Sequence, residues 1–280
     1  MNHPVQLFVD SLRIEFLHIR TYELDYNWRI ASVKLPQSVF WYVTGGRVHA
    51  IVDGTGYMAG AGELLHLPSG SMLSARPVTD RVTLVSLNFA AEVAFMPDRS
   101  WHELLRFPVR FRDGAVPPAV PDLLREMAAT AEHGGIARSM LLRAGMIRLI
   151  GLMLDRYLED PSGDAFLSAD SRINGAVAFL AQNPGWPPSV AELAELVQLS
   201  ESHLRKLFLR HVGMPPLPFI HRMKVEQAKR LLAEGGERIS AVSLRLGIQD
   251  PNYFARLFKQ HTGLSPKDYR ERNRNWMGGE

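Results

Sequence analysis

Apolar and polar positions follow two different rhythms along this chain. Between residue 12 and about 90 the apolar residues fall in short β-rich runs: "SVFWYV", "RVHAIV", "ELLHLP" and "RVTLVSLNF". Gly-containing turns separate them, namely "TGG", "DGTG", "AGAG" and "PSG". Many short strands with no helical pattern between them predict a small antiparallel β-barrel or sandwich.

The rhythm changes near Pro117 to a helical one. "PAVPDLLREMAATAEHGG" has Pro near its start and a Gly pair at its end, the punctuation of a helix. "ARSMLLRAGMIRLIGLMLDRYLED" predicts a second, longer helix. Leu142, Met146, Leu149 and Met153 share one side of it, while Leu141, Ile150, Leu154 and Tyr157 form further apolar rows. A helix that packs on one partner needs a single apolar stripe, so the surplus predicts a second partner. A homodimer formed through the helices in 121–158 meets that need. The small, acidic "EDPSGDAFLSAD" then predicts a linker. The expected organisation is a front domain over 1–158, a linker over 159–171 and an all-α domain over 172–280.

Within the last third one pattern is written twice. "HLRKLFLRHVGMPP" and "YFARLFKQHTGLSP" align at an offset of fifty, matching Leu207 with Leu257, Phe208 with Phe258, Gly213 with Gly263 and Pro216 with Pro266. Upstream, "VAELAELVQLS" matches "ISAVSLRLGIQD" once the second copy is given one extra turn residue. Each copy reads as a short helix, a tight turn and a second helix behind a capping residue: Ser200 in one, Asp250 with Pro251 in the other. These are two helix-turn-helix units, at about 190–210 and 239–261. Leu193, Ala194 and Val197 should face Leu204, Leu207 and Phe208. Val242, Ser243 and Leu246 should face Phe254, Leu257 and Phe258.

The opposite sides of the second helices carry Ser202, His203, Arg205 and Lys206 in one copy, and Asn252, Tyr253 and Arg256 in the other. Such residues suit the edges of bases in a major groove, where Arg can bond guanine twice and Asn adenine twice. Arg210, Lys259 and Arg270 fit phosphates of double-stranded DNA. An ordinary solvated face would also be polar, but two copies weigh toward DNA. Between the units "FIHRMKVEQAKRLLAEG" predicts a stiff helical spacer with Ile220, Met223, Ala228, Leu231 and Leu232 inward, and Arg222, Lys224, Lys229 and Arg230 outside. Two heads so joined would read adjacent grooves, roughly 34 Å apart.

Charge supports this division. The net charge of +3 conceals a rear segment, from Ser171, with 16 Lys and Arg against 10 Asp and Glu. The 170 residues before it hold 16 basic and 19 acidic. A basic rear and a mildly acidic front suggest that only the rear meets a polyanion. With no cysteine in 280 residues, disulfides and cysteine zinc sites are excluded. No secretory start is evident, and charges interrupt the most apolar stretch, so a cytoplasmic protein with no membrane association is expected.

From Arg172 to Arg272 the chain resembles the DNA-binding domain of the AraC/XylS family of bacterial transcription regulators. "ELAELVQLSESHLRKLF", "HRMKVEQAKRLL" and "ISAVSLRLGIQDPNYFARLFKQHTGLSPKDYR" carry the resemblance. It implies that Ser202, Arg205 and Lys206 read bases in the first unit, and Asn252 and Arg256 in the second. Gln198 stands where the family often has Gly, Ser243 where it has Ala, and Ile248 where it has Phe. The front domain is similar to the family's effector-binding and dimerisation half, a cupin-like barrel followed by two helices.

Some cupin barrels are metal enzymes, which would make this chain an enzyme with a DNA-binding appendage. Their His-x-His pair is missing here. His49 and His66 stand alone, and Ser71, Met72, Leu73 and Ser74 follow the Pro-Ser-Gly corner. Three spaced donors are the minimum for a catalytic metal, so neither catalysis nor a cofactor is expected. A small-molecule effector inside the barrel, with a sugar as a candidate, could be met by Trp41, Tyr42, His49 and Ser86, with Leu84 and Leu87 making part of the lining greasy. A barrel that only dimerises is the alternative.

Overall fold

The computed structural model describes residues 6–94, 96, 99–112, 114–158, 170–183, 185 and 189–274. The chain divides into two units, one of Leu12–Glu92 with Ser100–Ala165, the other of Met1–Ser11, Val93–Arg99 and Phe166–Glu280. Apart from Asp170 and Ser171, the expected linker over 159–171 lies outside the described residues. A single boundary after residue 158 did not foresee that the first residues would group with the rear. There α1 (Gln6–Asp10) buries Phe8 completely, stacked 6.4 Å from Phe219.

The front unit is built from β1 (Leu12–Asp25), β2 (Ile30–Lys34), β3 (Ser38–Gly45), β4 (Arg47–Val52), β5 (Thr55–Gly60), β6 (Leu64–Leu67), β7 (Met72–Pro77), β8 (Arg81–Val93) and β9 (Arg110–Phe111). They form two antiparallel sheets, β1-β8-β3-β6-β9 and β2-β7-β4-β5; of the barrel or sandwich expected, the described strands do not close into one barrel. Period-two alternation gives each strand one buried face, and stacked sheets satisfy that pattern as well as a cylinder does. Val39, Trp41 and Val43 of β3 meet Val48, Ala50 and Val52 of β4 in the shared core.

The larger sheet is buried on its other face as well. Phe40, His66 and Phe89 gather there with Trp101 of α2 (Trp101–Leu104), a helix the sequence pattern did not announce. His66 is fully buried, and among the described residues neither ring nitrogen has a hydrogen-bond partner.

The two expected helices are α3 (Val120–His133) and α4 (Arg138–Leu158). Leu142, Met146, Leu149 and Met153 are buried as the spacing requires, together with Ile150 and Leu154. Leu141 is not: it is exposed, with Met140 and Ile147. A Cβ at Gly145 would come within 2.8 Å of the Met127 side chain, so this glycine lets α3 and α4 approach closely.

The rear unit continues with α5 (Ser171–Gln182), α6 (Val190–Leu196), α7 (Glu201–His211), α8 (Pro216–Glu234), α9 (Ile239–Arg245), α10 (Pro251–Thr262) and α11 (Pro266–Arg274). Nineteen residues make α8 about 28 Å long. It contacts α7, α9, α10 and α11, which leaves less of its surface free than its charges suggested. Lys224, expected outside, is only 7% exposed, and burial lowers its pKa. Arg230 pairs with Asp10 at 2.6 Å, Lys229 pairs with Glu226, and Leu231 is only half-buried.

Candidate nucleic-acid interface

Both helix-turn-helix units are assembled by the same local devices. Before α6, Ser189 Oγ accepts the Glu192 N–H at 3.2 Å while Glu192 Oε2 accepts the Ser189 N–H at 2.7 Å. This capping box satisfies two of the donors a helix start leaves open. In the first turn the Leu199 N–H bonds the Ala194 carbonyl at 2.8 Å, and in the second the Ile248 N–H bonds the Ser243 carbonyl at 2.9 Å. Closing each turn needs one left-handed residue. Gly247 supplies it at φ 67°, while Gln198 adopts φ 55°.

After the turns, Ser200 Oγ accepts the His203 N–H at 3.4 Å and Asp250 Oδ1 accepts the Asn252 N–H at 2.8 Å. These are the capping residues expected, and Gln249 is the extra residue of the second turn. Ser243 is buried and donates to the Ile248 carbonyl at 2.5 Å, and so ties its own turn together.

The facing residues are placed as their spacing requires. Leu193, Ala194, Val197, Leu204 and Phe208 are buried, with Leu207 half-buried. In the second unit Val242, Ser243, Leu246, Phe254, Leu257 and Phe258 are all buried. The outward faces are consequently polar and basic. Ser202, His203, Arg205, Lys206 and Arg210 of α7 are exposed, as are Asn252, Tyr253, Arg256 and Lys259 of α10.

Three of these side chains have protein partners. Arg205 reaches Glu201 one turn earlier at 3.3 Å, an exposed pair that a nucleic acid would have to displace. Tyr253 Oη lies 3.2 Å from His221 Nε2 on α8. Ser202 Oγ lies 3.3 Å from Ser200 Oγ. Arg270 departs from the expected free phosphate ligand, because it is half-buried and its Nε and Nη2 are shielded from solvent. His221 was not singled out by the sequence. Burial first, then His261 and Lys224, lower its pKa and favour the neutral imidazole.

The expected effector residues divide into two pairs. Trp41 and Ser86 line a cavity of about 300 Å³ between the two sheets. Tyr42 follows Trp41 on β3 and therefore sits on the opposite face, outside the lining. His49 lies on the outer side of the smaller sheet, in a separate groove with Arg29 and Arg76. The sequence missed His18, Tyr22, Trp28 and Asn88, which complete the polar and aromatic part of the cavity. Of the greasy pair, Leu84 lines it and Leu87 does not. Among the described residues no group of three or more His, Cys, Asp or Glu is arranged to hold a metal ion. No helix among them is long and apolar enough to cross a membrane.

A family model described as a helix-turn-helix domain matches residues 193–272. An uncharacterized HTH-type transcriptional regulator of Haemophilus influenzae is 31% identical over 109 residues, covering 39% of this chain and 37% of that protein. The arabinose operon regulatory protein of Escherichia coli is 29% identical over 186 residues, covering 64% of this chain and 62% of that one. The chain thus spans less than two thirds of the length of these relatives. Among solved structures, the DNA-binding domain of AdpA in complex with a target DNA is 26% identical and covers 38% of this chain and 95% of that one, with a TM-score of 0.37. Residues 193–272, with their two like units and basic outward faces, are a helix-turn-helix domain of the AraC family of transcription regulators.

Proposed function

We propose that the chain is a sequence-specific transcription regulator that binds double-stranded DNA through α7 and α10. The observation that carries this reading is the duplication itself. Two capped helices present Arg205 and Lys206, and Asn252 and Arg256, on exposed faces, and α8 joins the units. Two short heads joined stiffly bind far better than either alone. Selection from a random duplex pool should return a preferred sequence. Arg256→Ala should then relax one base position at a cost of about 1–3 kcal/mol, with unchanged circular dichroism. Binding indifferent to base order would refute the reading.

The front unit is, in this proposal, a cupin-like effector and dimerisation half. An effector in the cavity between its sheets would shift the population competent to engage DNA. The dimer would form through α4, whose Met140, Ala144 and Ile147 follow helical spacing on an exposed apolar stripe. Gly151 extends that stripe, and a Cβ there would meet nothing within 4 Å. The chain acts as a cytoplasmic regulator rather than an enzyme, in keeping with relatives that are themselves transcription regulators.

A further inference from the structure

The cavity between the sheets is mostly apolar, with Ser86 and Asn88 side by side on one strand. β8 turns Leu84, Ser86 and Asn88 inward at every second position, so its face passes from aliphatic to polar along the strand. Across β3, Ser86 stands opposite Trp41 and Asn88 opposite Val39. Ser86 Oγ donates to Asn88 Oδ1 at 3.3 Å, a bond that engages the amide oxygen of Asn88 and not its NH2 donors. His18 and Tyr22 come from β1, the strand next to β8. Elsewhere the wall is leucine and isoleucine, with the rings of Trp28 and Trp41 meeting edge to face at 6.0 Å.

Charge narrows what can enter. Among the described residues no Asp, Glu, Lys or Arg lines the cavity. Burial, and then Arg20, lower the pKa of His18, which favours its neutral imidazole. A charged ligand would lose its hydration with no counter-ion to replace it. Hydroxyl count narrows the class further. A sugar carries hydroxyls around its whole ring, whereas seven of the thirteen lining residues are aliphatic and two are tryptophans, leaving His18, Tyr22, Ser86 and Asn88 as the polar partners. Each buried hydroxyl left without a partner weakens binding by roughly tenfold. The volume lies at the lower end of the range for small-molecule sites.

We infer that this cavity takes an uncharged molecule with a flat apolar body and a single hydrogen-bonding end, the class of a phenol or aromatic alcohol. The body lies against Trp28 and Trp41, and the polar end meets Ser86 and Asn88. The inference rests on reading the front unit as the effector half of a regulator. Its test uses the full chain, with tryptophan emission and thermal unfolding followed against p-cresol, L-arabinose and benzoate. Saturable binding of p-cresol is expected, with arabinose and benzoate at least roughly tenfold weaker. Asn88→Leu should shrink the preference for p-cresol over toluene by roughly tenfold, a change that mere loss of packing would not produce. Tighter binding of arabinose or benzoate, or no saturable change with p-cresol, overturns the assignment. DNA selection on the same sample reports separately on the regulator reading, so the two can fail independently.

Discussion

Tyr253 on α10 and His221 on α8 meet through Oη and Nε2 at 3.2 Å, with their rings edge to face at 6.3 Å. The tyrosine was expected to read a base, yet its hydroxyl is turned to the spacer. That contact ties α10 to α8. At the matching place in the first unit, His203 is exposed.

Tyr253→Phe and His221→Leu should each weaken DNA binding several-fold while the preference at bases read by α7 stays the same. Their double-mutant cycle, measured by fluorescence anisotropy, should give a coupling of about 0.5–1.5 kcal/mol. His221→Gln keeps an acceptor for the tyrosine and should restore much of the loss. Strict additivity would refute the positioning role.

Gln198 adopts the left-handed backbone that Gly247 adopts in the second turn, and a side chain makes that conformation costly. Gln198→Gly should therefore stabilise the rear unit by about 0.5–1 kcal/mol, and Gly247→Gln should destabilise it by about 1 kcal/mol. Urea midpoints check both signs. A loss of stability in the first variant would show that the glutamine side chain makes a contribution the turn geometry does not explain.

The stability of the front unit should fall on mild acidification. Burial, and then His102, hold the folded pKa of His66 well below its ordinary 6.5. Between the two values the unfolded chain binds the extra proton, so stability is full above about pH 6.5 and declines as pH drops through it. The slope from one such group is at most about 1.4 kcal/mol per pH unit. His102 shifts the same way, because burial outweighs the opposing pull of Glu103 and Asp53. His66→Phe, set among Phe40, Phe89 and Phe107, should flatten the pH profile of unfolding between pH 7 and pH 5. An unchanged slope would assign the acid sensitivity elsewhere.

Ile147→Glu places a charge on the exposed stripe of α4 without touching its buried side. Sedimentation should show a dimer becoming a monomer, with the thermal midpoint of the isolated subunit moved by less than about 0.5 kcal/mol equivalent. A monomeric parent protein would end the dimer proposal.

Features set by local spacing were legible from the chain alone. The caps at Ser200 and Asp250, the extra residue Gln249 and the buried faces around Phe208 and Phe258 follow from helical period and turn chemistry. Features that depend on distant neighbours were not. Lys224 reads as a solvent residue on a helix wheel, but α8 is packed by other helices, α7, α9, α10 and α11 among them, and buries it. His221 and Tyr253 are 32 residues apart, and nothing in either segment names the other. In the front unit, alternation gave the strands, but it does not encode whether a sheet closes on itself. It also could not say that Tyr42 and His49 point away from the cavity, since both faces of β3 are largely buried and His49 sits on the outer side of β4.

The two units are alike in backbone and unlike in surface, Ser-Arg-Lys on α7 against Asn-Arg on α10. On the proposed function, a chain built this way has a direction on the duplex, because reversing it would offer each head the other's bases. Its target would therefore be asymmetric within each protomer's footprint, so turning the site end for end relative to a promoter should change the outcome.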